Sequence, residues 1–113
     1  MSDCLFCKII AGQIPSSKVY EDDACYAFRD INPQAPVHIL VVPKIHVRNI
    51  AEASLLPADA LAALIAAIGK IAAQEKLEKG FRVVSNCGPD ACQSVDHLHF
   101  HILGGRQMAD QMA

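Results

Sequence analysis

The chain has 113 residues, 52% hydrophobic and 19% charged, with a net charge of −2. This length supports one domain whose core stands without disulfide staples, and the composition excludes a disordered chain. No basic stripe runs through the sequence, which speaks against nucleic acid and for a small ligand as partner.

Five cysteines leave one over under any pairing scheme, and no basic region followed by an apolar run opens the sequence. A reducing cytoplasm is therefore expected rather than a secreted disulfide framework. Residues 4 to 12 read as a short helix or turn ended by Gly12, with Pro15-Ser16-Ser17 as a connector. Lys18 to Tyr20 and Ala24 to Phe28 are short strands joined at Glu21-Asp22-Asp23, a hairpin. Asp30 to Pro36, with its two prolines and an asparagine, is a loop, and Val37 to Val42 is a strand closed by Pro43.

Ser54 or a neighbour caps a long helix with Pro57 near its first turn, and the helix is predicted to run to Gly80. Leu61, Leu64, Ile65, Ile68 and Ile71 form its apolar stripe, while Ala62, Ala63 and Ala66 make a smooth second face. That second face is either a dimer contact or alanine chosen for helix propensity alone. Leu55 to Ala73 is the most apolar segment, but Pro57, Asp59 and Lys70 interrupt it, so it reads as a buried helix and not a membrane span. Phe81 to Asn86 is the next strand, Cys87 to Ser94 a loop, and His97 to Leu103 the last strand. The expected architecture is a single α+β domain over residues 1–113: a mostly antiparallel sheet of about five strands, one long helix across it and a short N-terminal helix.

"DHLHFHILGG", residues 96 to 105, holds three of the chain's five histidines. In a strand His97, His99 and His101 share one face while Leu98, Phe100 and Ile102 line the other; in a helix the imidazoles would scatter around the axis. One such histidine would ordinarily be a half-exposed strand residue. Three on one face disfavour one another's charging, which is more typical of a site than of a scaffold. Gly104-Gly105 adds to this, because glycines let backbone approach a ligand and can present N–H groups to an anion. The combination points to chemistry on a phosphate.

Cys4-Leu5-Phe6-Cys7 is a C-x-x-C unit, half of a tetrahedral zinc site. The redox reading of this motif needs a βαβ context that the N-terminus does not offer; two unrelated cysteines remain the plain alternative. His38, His46, His97, His99 and His101 are the candidates to complete such a site, and spacing alone does not choose among them.

His97-Leu98-His99-Phe100-His101-Ile102-Leu103 matches the H-φ-H-φ-H-φ-φ signature (φ apolar) and, with "CLFCKIIAGQIPSSKVYEDD", "AFRDINPQAPVHILVVPKIH", "VVSNCG" and "GGRQM", resembles the histidine triad proteins over nearly the whole chain. The resemblance is to the Hint branch, purine nucleoside phosphoramidases. It implies that His99 attacks the α-phosphorus of an adenosine or guanosine 5′-phosphoramidate, expels the amine, and becomes a nucleotidyl-histidine that water cleaves. A neutral imidazole is nucleophilic near pH 7, and two displacements replace one hard one. The resemblance further implies that His101 hydrogen-bonds the phosphate, with His38 behind it as a polar relay. Ser94 and Gln93 would contact the phosphate and leaving group, Asn86 would bridge phosphate and ribose, and Asp30 would accept the ribose hydroxyls. Leu5, Phe6, Ile9, Ile14, Phe28 and Ile31 correspond to the slot for the base. Without the resemblance, Asp30 and Asn86 would read as turn formers and the apolar set as core.

Zinc-containing members of that family imply Cys4, Cys7, His46 and His97 as the ligands of a closed, structural zinc, and the resemblance also implies a homodimer. Three positions depart from the family pattern: Cys92 stands where glycine is usual, Asp96 replaces a common aromatic, and "QMADQMA" replaces a Trp-Pro-Pro-Gly-like ending. Two other functions fit the same residues. One is a dinucleoside polyphosphate hydrolase or nucleotidyl transferase using the same His99 intermediate, and the other a nucleotide-binding module without turnover.

Overall fold

A computed structural model describes residues 3–113. Helix α1 (Leu5–Ile10) is followed by β1 (Lys18–Glu21), β2 (Cys25–Arg29) and β3 (Val37–Pro43). A 3₁₀ turn (Ile50–Leu55), helix α2 (Ala58–Gln74), β4 (Phe81–Val84), a second 3₁₀ turn (Pro89–Ala91) and β5 (Phe100–Gly104) complete the chain order. The strands form one sheet, β1-β2-β3-β5-β4, antiparallel at every pairing. The α+β expectation and the five-strand count hold. No helix among the described residues is long and apolar enough to cross a membrane.

Side chains alternate along each strand, so the sheet has two faces of different character. On one, Cys25, Ala27, Ile39, Val41, Phe100 and Ile102 pack with Leu64, Ala67, Ile68 and Ile71 of α2. Leu64 and Ile71 are fully buried there, each contributing about 1.5–3 kcal/mol of hydrophobic stabilisation. On the other, Tyr26, Phe28, Leu40 and Val42 pack with Phe6 and Ile9 of α1. Because both faces are covered, β2 and β3 read as nearly unbroken apolar runs, and His38 is the one polar side chain inside β3.

Several boundaries differ from the sequence expectation. Ser54 lies inside the first 3₁₀ turn, which Asn49 caps by accepting from the Ala51 amide, and Pro57 itself occupies the position before α2. The helix stops at Gln74 rather than Gly80 because Lys76 enters the left-handed region at φ 59°, and the Leu77 amide turns back to the Ala72 carbonyl. This reversal drives Leu77 against β5, where a Cβ on Gly104 would sit 2.9 Å from a Leu77 methyl. Gly104 therefore serves helix-to-sheet packing, and Gly105 (φ 92°) lies against Pro36. Ile65, expected in the buried stripe, is 52% exposed and shares the outward face of α2 with Ala62 and Ala66. β4 ends at Val84, and β5 begins at Phe100, leaving His97 and His99 before the paired ladder.

Candidate active site and metal centre

Pairing of β3 with β5 sets Leu40 opposite His101 and His38 opposite Leu103, so His38 and His101 are diagonal neighbours on the α1 face. Alternation persists into the unpaired segment: Leu98 enters the α2 core, while the rings of His97 and His99 meet the Phe6 ring edge-on, centroids 5.9 and 5.1 Å away. His38, His97 and His99 are buried. The period-two reading of the triad holds although only His101 lies in the ladder.

Hydrogen bonds fix the ring tautomers in a chain. The Gln34 amide donates to His38 Nδ1 (3.0 Å), so a neutral His38 carries its proton on Nε2. From His38 Nε2 that proton faces His101 Nδ1 at 2.8 Å, and an Asp30 carboxylate oxygen lies 3.4 Å from His38 Nε2. His101, accepting at Nδ1, keeps its own proton on Nε2. Separately, His99 Nδ1–H donates to the His97 carbonyl at 2.7 Å, which leaves the lone pair of a neutral His99 on Nε2. The His99 and His101 ring centroids are 5.1 Å apart. One ring is thus prepared as an electron-pair donor and its neighbour as a proton donor.

Burial holds His101 well below the ordinary histidine range, down to about 4, with the neighbouring His99 and His38 adding to the effect and Asp30 opposing it. Burial likewise pushes His38 down, against Asp30. The unfolded chain protonates both near 6.5 while the folded chain resists, so their contribution to stability is complete above about pH 6.5 and declines as pH falls, for His101 down to about 4. Melting temperature is expected to fall through that window, and less steeply in His101→Asn. Equal slopes for the two proteins would remove His101 as a source of acid sensitivity.

The second cluster joins the N-terminus to the sheet. Cys4 Sγ lies 3.3 Å from His97 Nδ1, Cys7 Sγ 3.4 Å from His46 Nδ1 and 3.6 Å from His97 Nδ1, and the two Nδ1 atoms are 3.1 Å apart. A tetrahedral zinc with bonds of about 2.0–2.3 Å separates its ligand atoms by about 3.3–3.8 Å; the three sulfur–nitrogen distances fall in that range and the Nδ1–Nδ1 distance lies just below it, so the four are spaced to share one ion. The ring orientation agrees. His97 Nε2 donates to the Pro43 carbonyl at 2.8 Å, leaving the Nδ1 lone pair for the cluster. The Cys7 amide also points at Cys4 Sγ, at 3.4 Å.

The remaining expected site residues divide. Phe6, Ile9 and Phe28 are buried against one another, Ile14 packs at their margin, and Leu5 and Ile31 are exposed, Ile31 by 92%. Asp30 accepts from the Asn32 amide, holding its loop, while its second oxygen faces His38. Asn86 is half-buried just beyond β4. Ser94 is exposed and lines a cavity of about 510 Å³ with Cys4, Leu5, His46, Arg48 and Asp96. Gln93 is spent on the loop itself: its Oε1 accepts from the Gly88 amide, and its Nε2 donates to the Arg48 and Val95 carbonyls. This bracing leaves its amide little capacity for a ligand. Cys92 is exposed at φ 59°, ψ 41°, the left-handed conformation that glycine takes without strain, which explains why glycine suits this position.

Sequence reasoning missed Ser85, whose hydroxyl donates to the His99 carbonyl at 2.8 Å. It also missed the backbone groups of Gln34 and Pro43 that set the tautomers of His38 and His97; backbone partners carry no side-chain signature.

The HIT domain family profile matches residues 11–108. The chain belongs to the HIT family. This HIT protein is 50% identical over 108 residues to a 14 kDa zinc-binding protein of Brassica juncea, covering 94% of the chain and 96% of that relative. It is 49% identical over 109 residues to adenylylsulfatase HINT1 of Arabidopsis thaliana, covering 95% and 74%. Among solved structures, a HIT family hydrolase from Clostridium thermocellum superposes with a TM-score of 0.92 at 42% identity, covering 100% of this chain and 99% of that one.

Proposed function

We propose that this HIT protein hydrolyses purine nucleoside 5′-phosphoramidates through a nucleotidyl intermediate on His99. The observation that carries this reading is the His99 Nδ1–H bond to the His97 carbonyl, which presents Nε2 as the nucleophile beside the Nε2–H of His101. His99 Nε2 forms a bond to the α-phosphorus as the P–N bond breaks. His101 stabilises the anionic phosphate oxygen, and the departing nitrogen takes a proton relayed from water through the Ser94 hydroxyl. Water then attacks phosphorus, His99 leaves with its electron pair restored, and the proton consumed in the first step is returned. Asp30 and Asn86 are assigned to the ribose and phosphate, and Phe6, Ile9, Phe28 and Ile31 to the base, of which exposed Ile31 offers the most open surface.

A second reading keeps His99 and changes the leaving group, because one relative is named an adenylylsulfatase. Sulfate departs as an anion without a proton, whereas an amine does not. Ser94→Ala is therefore expected to slow phosphoramidate turnover by about 10²-fold or more and adenylyl sulfate turnover by less than about threefold. AMP release from both substrates by wild type and variant decides it. Equal slowing of the two would remove Ser94 from proton delivery, and a folded wild type that releases AMP from neither would leave a binding module.

Cys4, Cys7, His46 and His97 would hold zinc, which supplies fixed positive charge and a cross-link and takes no part in the displacement. The donor set, the spacing and the name of the Brassica relative support this assignment. Keeping these cysteines unoxidised and available to a metal requires a reducing compartment, consistent with the cytoplasm. A second copy is placed against the outward α2 face formed by Ala62, Ile65 and Ala66, giving a homodimer. Light scattering at micromolar concentration should return twice the 12.2 kDa chain mass; a monomeric mass would reject the contact.

A further inference from the structure

We propose a second anion site, for a polyphosphate chain, at the end of the sheet where α2 turns into β4. A cavity of about 740 Å³ is lined by Lys76, Lys79, Arg82 and Arg106, four of the chain's ten lysine and arginine residues, with Glu78 the one acid in its wall. No histidine of the triad lines it. Elsewhere Lys18 and Lys44 pair with Glu21, Arg29 with Glu75, and Arg48 with Glu52. Among the described residues, no ion pair includes any of the four cavity cations.

Cations following a helix are favoured by its dipole, which accounts for Lys76 and Lys79. The dipole does not account for Arg82, from β4, or Arg106, from beyond β5. Their guanidinium groups meet backbone carbonyls alone: Arg82 donates to Ala109, and Arg106 to Gln107 and Gln34. Each keeps further N–H donors available, since a guanidinium carries five. The chain reversal at Lys76 and the turns at Gly80 and Gly105, all at positive φ, bring these three segments together. In a protein of net charge −2, four positive charges facing one acid, Glu78, on a concave wall repel one another, and a multiply charged anion relieves that repulsion. Phe81, 42% exposed, lines the same cavity and offers an aromatic surface on which a nucleobase could stack.

The test is an amide chemical-shift titration of the full-length protein with inorganic tripolyphosphate and, in parallel, ATP. Tripolyphosphate is expected to move the amides of residues 76–82 and 105–108, with saturation at millimolar concentration or below. Lys76→Gln/Lys79→Gln, which removes two side chains without ion-pair partners, should weaken it by about fivefold per charge lost. Similar affinities for both probes would assign the site to free polyphosphate. ATP binding at least tenfold tighter, with the Phe81 ring perturbed, would assign it to a nucleotide's phosphate chain. The inference is overturned by shifts confined to the triad region, by no shift at millimolar probe, or by a double variant that binds as wild type. Because the triad amides report separately, its outcome is independent of whether His99 performs the proposed hydrolysis.

Discussion

Replacing His99 with alanine is expected to lower turnover of an adenosine phosphoramidate by at least about 10⁴-fold, while AMP binding survives within about tenfold. The ring supplies the only electron pair that the tautomer chain directs outward; its neighbour His101, accepting at Nδ1, presents a proton instead. Losing the donor therefore removes the first chemical step and leaves the contacts assigned to ribose and base. The ring also packs edge-on against Phe6 and His101, so alanine opens a gap and costs some stability. His99→Asn retains more of the volume and polarity without a comparable nucleophile, and it should be equally inactive with a milder loss of melting temperature. Activity in either variant within tenfold of wild type would place the nucleophile elsewhere.

The second large effect is expected from Cys4→Ser/Cys7→Ser. The wild type should carry one zinc per chain and the double variant none, with stability lower by about 2–4 kcal/mol, or about 8–17 °C in Tm. Without an ion, burial and then the Cys4 side chain push the Cys7 thiol up, whereas a divalent cation reverses that preference by binding the thiolate. Metal content by elemental analysis and thermal melts with and without chelator measure the two effects separately. A variant that retains its zinc would displace the ligand assignment, and a wild type that melts identically with and without chelator would deny the ion a structural role.

Alternation carried much of the architecture. His97, His99 and His101 at every second position indicate one shared face, and the rule survives where β-ladder pairing does not, because Leu98 and Phe100 are held in the α2 core. The C-x-x-C spacing indicated half a metal site; its partners His46 and His97 came from family resemblance, since they meet only through tertiary structure. Helix ends were legible less well. Glycine was the expected stop, yet Lys76 reverses the chain, a left-handed conformation that local sequence rarely signals for lysine. Gly104-Gly105 read as a ligand-approach pair, but the space beside Gly104 belongs to Leu77. The loop bonds of Gln93 to Gly88 and Arg48 were likewise invisible in one dimension. Asp30 does brace its own turn by accepting from the Asn32 amide, and the ribose and phosphate roles of Asp30 and Asn86 come from the resemblance alone.

The sheet order has a bearing on how the molecule is made. β5, late in the chain, is inserted between β3 and β4 rather than added to an edge. Until it emerges, a growing polypeptide holds β3 with an unsatisfied apolar flank, the kind of transient edge that invites wrong partners. Its pairing with β3 spans more than half the sequence, so this closing step is non-local and is expected to be slow relative to forming the β1–β2 hairpin. Synthesis of the last strand therefore ends that exposure and creates the His38–His101 contact in the same event, so that the relay forms only as the fold closes.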